Sequence, residues 1–446
     1  MNPDRSENKP GSVPETADPP GDVRSLWGWT EPAVWTDRML TALEKGVRGG
    51  RWFCLIDKVF APRTLSAAFA KVKANGGAAG VDNQTVAMVE ERFDANLENL
   101  SDALRNGEYR PAAVKRVWIP KPGRKEKRPL GIPTVRDRIV QTALRSVLEP
   151  IFERDFAEYS YGFRPGRSCK DAMRRVRALI NAGRSWALDA DLKGFFDTIP
   201  HDKLMARIKE KVTDGSVLSL LGKFLTQTIK DGCEIRTPER GTPQGAVISP
   251  LLANIYLDDL DKLMASKGFE MVRYADDFVV LCRSEQDARA ALAVVEAWTA
   301  NAGLTLHPEK TRIMQITRKD GFDFLGYEFH LHKHRATKKA QCRLKDTIRS
   351  KTKRSNGHCL ERIIADINPI LRGWFEYFKH HQAKTLFSRL DSWIRFRIRS
   401  ILWCRKRKRG RARGKANRTW TNAFFVDLGL FSLSAARETA CQSVTR

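Results

Sequence analysis

The apolar positions of this chain follow two rhythms. The run Trp186-Ala187-Leu188-Asp189-Ala190-Asp191-Leu192 alternates. In a strand, Trp186, Leu188, Ala190 and Leu192 face one way, and Ala187, Asp189 and Asp191 face the other. Met271-Val272-Arg273-Tyr274-Ala275-Asp276-Asp277-Phe278-Val279-Val280-Leu281 reads as two apolar strands around a tight Ala-Asp-Asp corner. Strand-like and helical runs alternate over residues 185–285, and residues 323–329 suggest another strand pair. Beyond about residue 335 the period becomes helical. Ile363, Ile364, Ile367, Ile370, Leu371, Trp374, Phe375 and Phe378 form one stripe, and Leu386, Leu390, Trp393, Ile394, Ile398 and Ile401 form the next. Pro369 starts or kinks the first of these helices. Upstream, residues 61–109 predict two or three helices broken at Asn75-Gly76-Gly77. Residues 114–133 predict a basic hairpin, and residues 135–152 a helix. Residues 26–60 are Trp-rich, helical or irregular, and the proline-rich residues 1–25 predict a disordered tail. No internal repeat is present. The pattern is a mixed α/β body followed by a helical domain.

Length and charge sharpen this picture. A chain of 446 residues suits two or three domains rather than one small core. Lys and Arg number 79 against 52 Asp and Glu, a net charge of +27. Such a surface attracts polyanions, nucleic acid first among them, with an anionic membrane as the competing partner. No apolar run approaches the ~20 residues that span a bilayer, and the N-terminus lacks a signal-peptide core. A bacterial-type cytoplasmic setting is expected, nucleoid-associated when acting on DNA, with no membrane partner. The eight cysteines are scattered without a C-x-x-C pair, which excludes a paired-cysteine zinc module.

The candidate chemistry lies in the carboxylates. Asp is depleted in strands, so Asp189 and Asp191 on one face need a reason. Asp276-Asp277 has an ordinary reading as a hairpin turn, where Asp is common. Yet Asp-Asp without glycine is a poor two-residue turn, and its adjacent charges repel unless a cation offsets them. Asp191, Asp276 and Asp277 together suit two Mg²⁺ ions about 4 Å apart, which can activate a 3′-hydroxyl and stabilise departing pyrophosphate.

At these residues the chain resembles a family. Tyr274-Ala275-Asp276-Asp277 looks like the signature corner of reverse transcriptases, and Asp189-Ala190-Asp191-Leu192-Lys193-Gly194-Phe195-Phe196-Asp197 resembles their upstream metal motif. The ordered blocks Ile119–Pro122, Arg128–Pro133, Tyr161–Ser168, Gly241–Gly245, His307–Thr311 and Phe324–Tyr327 resemble group II intron-encoded reverse transcriptases. Gly373-Trp374-Phe375-Glu376-Tyr377-Phe378 looks like the core of that family's maturase, or thumb, domain. The resemblance covers roughly residues 60–435. It implies an α+β right-hand polymerase: fingers and palm with a small antiparallel sheet, then a helical thumb. The implied domains are an N-terminal helical extension over 26–110, fingers and palm over 111–335, a thumb or maturase domain over 336–418, and a tail over 419–446.

The resemblance also implies roles. Asp191 and Asp276 match the main metal ligands, with Asp277 supporting and the Leu192 carbonyl as a further ligand. Phe196 matches the aromatic beneath the incoming sugar that excludes a 2′-hydroxyl. Gln244 and Gly245 match residues contacting nucleotide and template. Lys121 and Arg128 match triphosphate-binding fingers residues, Arg suiting bidentate phosphate contacts. Lys310 matches a later palm lysine. The implied activity is RNA-directed DNA polymerisation from dNTPs. The implied second role is binding intron RNA to promote splicing, then retrohoming by reverse transcription primed at target DNA. Many members carry a C-terminal endonuclease with paired cysteines and histidines. This chain ends without one, which matches the lineage that lacks it.

Residues 395–418 contain twelve Lys or Arg and no acid, flanked by Trp393, Phe396, Trp403 and Trp420. A solvated helix end is the bland reading. Presentation by a packed helix instead predicts RNA binding through Arg405, Lys406, Arg407, Lys408, Arg409, Arg411 and Arg413. His330, His332 and His334 alternate, and read as polar residues on one exposed strand face rather than as a metal site. Two other readings stay open: an RNA-binding splicing factor whose polymerase is inactive, and a reverse transcriptase of a retron or CRISPR-linked system.

Overall fold

The computed structural model describes residues 23–120, 127–379, 384–407, 412 and 414–442. The tail expected over 1–25 therefore lies outside the described residues up to residue 22, as does the tip of the basic hairpin. The chain forms two compact units: Met1–Leu179 with Trp186–Ile313, and Ile180–Ser185 with Met314–Arg446.

In the first unit, the glycine break predicts the helix ends. The helix Pro62–Asn75 begins on proline, whose missing N–H is harmless in the first turn, and stops at Gly76 with φ +62°. The helices Val86–Glu91 and Phe93–Arg105 follow. The helix Val135–Glu153 is capped by Thr134, whose side chain accepts from the Asp137 amide. The strands of this unit are β1 (Val114–Pro120), β2 (Lys127–Ile132), β3 (Trp186–Asp191), β4 (Ile229–Asp231), β5 (Glu234–Arg236), β6 (Glu270–Tyr274) and β7 (Asp277–Cys282), with β8 (Arg312–Gln315) at its boundary.

Two sheets result. One has the order β2-β1-β4-β5: β1 and β2 are the expected antiparallel hairpin, and β1 also pairs parallel to β4. The other has the order β6-β7-β3-β8. Here β7 pairs antiparallel with both β6 and β3, in a register that sets Asp191 opposite Asp277. Leu188 and Ala190 are buried as the alternation predicts, in a core that includes Val140, Leu144, Leu252, Leu257 and Val280. The helix Ser249–Ser266 and the helix Glu285–Ala302 contribute the adjoining core.

The second unit starts with a small antiparallel sheet of β9 (Phe322–Phe324), β10 (Tyr327–Phe329) and β11 (His334–Ala336). Leu325 and Gly326 both have positive φ, as a two-residue hairpin turn requires. The aromatic block of the helix Leu360–Phe378 locks onto this turn. The Tyr377 hydroxyl donates to the Leu325 carbonyl, the Tyr327 hydroxyl donates to the Tyr377 carbonyl (both 2.7 Å), and a Cβ on Gly326 would lie 3.6 Å from Phe378. Pro369 sits inside that helix rather than starting it. The helices Lys338–Lys351 and Lys384–Arg405 complete the bundle with Leu344, Ile348, Ile394 and Ile398. Trp420, Phe425, Leu430 and Leu433 join the same core, so the C-terminal segments pack on this unit. Asp391 accepts from the amides of Leu433 and Ser434 and caps the last helix.

One expectation is corrected here. His330, His332 and His334 do not share a strand face, because β10 ends at Phe329 and β11 begins at His334. His330 is buried with Nε2 3.2 Å from Glu328, while His332 is exposed. Burial holds the His330 imidazole below its usual pKa.

Candidate active site

The Ala-Asp-Asp corner is a tight hairpin between β6 and β7, in which Tyr274 pairs with Asp277. Ala275 has φ +60°, an uncommon conformation for a residue with a Cβ. Its surroundings hold it there. Arg273, buried within the sheet, donates from Nη1 to the Ala275 carbonyl (2.9 Å) and to Asn254 Oδ1 (3.0 Å), while its Nε donates to Asp261 (2.8 and 2.9 Å). Asn254 in turn donates to the Gly162 carbonyl (2.8 Å). Residues 159–161 run beside β6, with Arg273 N donating to Tyr159 O and Tyr161 N donating to Arg273 O. A Cβ on Gly162 would lie 2.2 Å from the Ala275 nitrogen, so only glycine fits. The block Tyr161–Ser168 therefore braces the corner.

Sequence reasoning passed over Arg273, Asn254, Asp261 and Gly162. The available signal was Arg273 itself, a charge inside an apolar strand, which burial tolerates only with partners.

Asp191 ends β3. The chain beyond it pairs with the segment before Lys310: His307 N donates to Asp191 O and Lys193 N to Thr305 O, both at 2.8 Å. The Leu192 carbonyl is not used by these two bonds. The pairing carries Lys310 over the cleft, where its ammonium forms an ion pair with Asp191 Oδ2. Burial pushes the Asp276 carboxyl above its ordinary pKa, and Asp191 pushes it the same way, while Arg128 and Lys310 pull against both. Asp191 and Asp276 are thus within electrostatic reach of one another, with Arg128 and Lys310 alongside. Asp277 is the more exposed of the corner pair.

This arrangement fits divalent metal. Two neighbouring carboxylates repel, and one of them already draws a cationic side chain. Among the described residues no group of three or more His, Cys, Asp or Glu forms a cage. Mg²⁺ in polymerase sites takes one or two carboxylates and completes its shell with phosphate and water.

A cavity of about 410 Å³ is lined by Phe196, Asp197, Gln244, Gly131, Arg116 and Arg236, among others. Phe196 is half-buried and sits edge-on to the buried Phe195 (5.3 Å). The loop 241–245 is clamped on both sides. Thr242 N donates to Phe196 O (2.6 Å), Gly241 N to Ile199 O (2.8 Å), and Gly131 N to Gln244 O (2.6 Å). A Cβ on Gly245, at φ +108°, would lie 2.4 Å from the Gly131 carbonyl. Thus Asp191, Asp276, Asp277, Leu192, Arg128, Phe196, Gln244, Gly245 and Lys310 all lie in the first unit. Lys121 lies outside the described residues.

The expected RNA-binding run is only partly described: Lys408, Arg409, Arg411 and Arg413 lie outside the described residues. Of the rest, Arg405 donates to the carbonyls of Asn356 (3.1 Å) and His358, and Lys406 sits 5.1 Å from the Trp420 ring. Both are exposed and make these contacts within the protein. A second basic face was missed. Lys345, Arg349 and Arg397 gather within 6.0 Å of the Trp393 ring. The signal was present in the helix Lys338–Lys351, whose sequence KKAQCRLKDTIRSK has six basic residues and one acid.

The family models match in two blocks. Residues 119–329 match the reverse transcriptase (RNA-dependent DNA polymerase) family, and residues 341–420 match the group II intron maturase-specific domain. Protein YkfC of Escherichia coli is 32% identical over 345 residues, covering 68% of this chain and 85% of that protein. The group II intron-encoded protein LtrA of Lactococcus lactis is 40% identical over 171 residues, covering 38% of this chain and 28% of LtrA. The match therefore spans under a third of LtrA's length. Among solved structures, a partial Cas6-RT-Cas1–Cas2 complex aligns with TM-score 0.36 and 27% identity, covering 55% of this chain and 41% of that one. With the polymerase motifs in the first block and the maturase-specific domain in the second, the chain belongs to the group II intron-encoded reverse transcriptases.

Proposed function

We propose that this chain is an RNA-directed DNA polymerase that binds two Mg²⁺ ions, uses dNTPs, and binds its intron RNA to promote splicing and insertion at a DNA target. The observation that carries this reading is the meeting of Asp191 and Asp276 at the end of β3 and the β6–β7 corner, with Lys310 and Arg128 beside them. Bound metal would activate the primer 3′-hydroxyl and stabilise charge on the departing pyrophosphate. Asp191 and Asp276 would hold it, with Asp277 and the Leu192 carbonyl in support. Arg128 and Lys310 would supply positive charge to a triphosphate, and Lys121, in the neighbouring block, would share the role of Arg128. Phe196 and Gln244 border the cavity suited to the sugar and base, and Gly245 lets the backbone of β2 approach. The maturase-specific domain supports the RNA-binding half of the proposal, with Arg405 to Arg413 and the Trp393 face as contact surface.

Primer extension on an RNA template tests the reading. Asp276→Ala should lower dNTP incorporation by several orders of magnitude while leaving RNA binding intact. Near-wild-type extension by the variant in magnesium would overturn it.

A further inference from the structure

The cavity lined by Phe196 and Gln244 has two carboxylates in its wall, Asp197 and Glu239, and Asp197 is the one bonded to Gln244. Asp197 follows Phe196, and its Oδ2 accepts from Gln244 Nε2 at 3.1 Å. A carboxylate cannot donate, so this contact determines which end of the glutamine amide faces it. The nitrogen is turned to Asp197, and Oε1 is the end left for another partner. The backbone leaves little freedom for a different arrangement. Gly241 and Gly245 are both at positive φ, and a Cβ on Gly241 would lie 2.7–2.8 Å from the backbone of Phe196 and Asp197. The loop carrying Gln244 is thereby pressed against the turn carrying Asp197. Burial pushes the Asp197 carboxyl above its ordinary pKa, while Arg116 and Arg236, also in the cavity wall, and the Gln244 hydrogen bond pull against it.

We infer that Asp197 is a positioning residue for nucleotide selection: it fixes the Gln244 amide so that Oε1 is a directed hydrogen-bond acceptor for the incoming nucleotide. An amide free to rotate by a half-turn presents donor and acceptor alternately. One held by a carboxylate presents only the acceptor, and so selects ligands with a donor at that point. This inference rests on the polymerase reading, in which Gln244 contacts the nucleotide.

The test compares Asp197→Leu, which keeps the branching at Cγ but has no acceptor, with Asp197→Asn, whose Oδ1 can still accept from Gln244. Extension kinetics and equilibrium dNTP binding to a dideoxy-terminated primer–template complex are both measured. Asp197→Leu should raise KM and the binding constant for dNTP about tenfold with little change in kcat, and Asp197→Asn should restore most of the loss. In a Gln244→Ala background, Asp197→Leu should add nearly nothing, because the group it positions is gone. Equal losses in both backgrounds, or Asp197→Asn as poor as Asp197→Leu, would overturn the inference and leave Asp197 a packing residue. A wild-type chain that binds dNTP in the dideoxy complex but never extends would overturn the polymerase reading alone, because the binding comparison still tests Asp197.

Discussion

On the proposed polymerase reading, Phe196 is the side chain that would decide which sugar is accepted. It is half-buried on the wall of the cavity, backed by Phe195, whose own ring is buried. Truncating it opens room for a hydroxyl without disturbing the carboxylates. Phe196→Ala should therefore raise ribonucleotide incorporation relative to deoxyribonucleotide by at least about tenfold. Competition between the two substrates on one template measures this. An unchanged ratio with activity retained would make Phe196 a core aromatic. The placement of Asp191 at the end of a strand was legible because a strand's period of two makes a lone Asp conspicuous. Arg273 was not, because its partner Asp261 lies on a helix and no local rhythm connects them. Removing one member of such a buried pair typically costs about 3–5 kcal/mol, so the Ala275-Asp276 corner depends on Arg273 for its support.

At the scale of elements, the helix Val135–Glu153 shows how the β1 sheet is anchored. Asp137 lies in its first turn, buried, and accepts from the Tyr109 hydroxyl (2.5 Å), from Gln227 Nε2 (3.1 Å) and from the Ala112 amide (3.2 Å). Burial holds the Asp137 carboxyl above its ordinary pKa despite these bonds. A carboxylate raised in the folded state gives its full stability below the unfolded value of about 4, and loses it as pH rises through the higher folded value. Asp137→Asn removes that titration. The stability of wild type relative to this variant should therefore fall as pH rises from about 4 through the weakly acidic range. Urea midpoints at stepped pH would show it, and a constant difference would mean that Asp137 titrates normally. Helices and hairpins of this kind were readable from period and turn residues. The parallel pairing of β1 with β4, and of residues 159–161 with β6, was not, since register between distant segments leaves no local mark. The histidine reading failed likewise: alternation over three residues was mistaken for a strand where the chain turns.

For the whole molecule the governing quantity is its charge of +27. The expected RNA contacts lie in the densest basic run, and the proposal adds the Trp393 face, whose basic residues are spread from Lys345 to Arg397 and meet only on folding. Replacing Lys345 and Arg349 by Ala should weaken binding of intron RNA. It should also flatten its log–log salt dependence by about 0.7–0.9 for each phosphate that the variant no longer neutralises. Titrations between about 50 and 200 mM salt measure the slope. An unchanged slope would return RNA recognition to the run at 405–413.

The pairing of Asp191 with Lys310 has a consequence for the birth of the protein. The two residues are separated by 119 positions. At roughly 5–20 residues per second, a ribosome takes on the order of ten seconds to pass from one to the other. Throughout most of that interval β3 exists without β7, and its apolar edge is open to other chains. A nascent chain halted before residue 276 has Asp191 but lacks Asp276, so on the proposed reading it cannot copy RNA at any metal concentration. On that reading catalytic competence arrives late in synthesis, and a chaperone that shields β3 during the gap should raise the yield of active enzyme more than it would that of folded N-terminal helices.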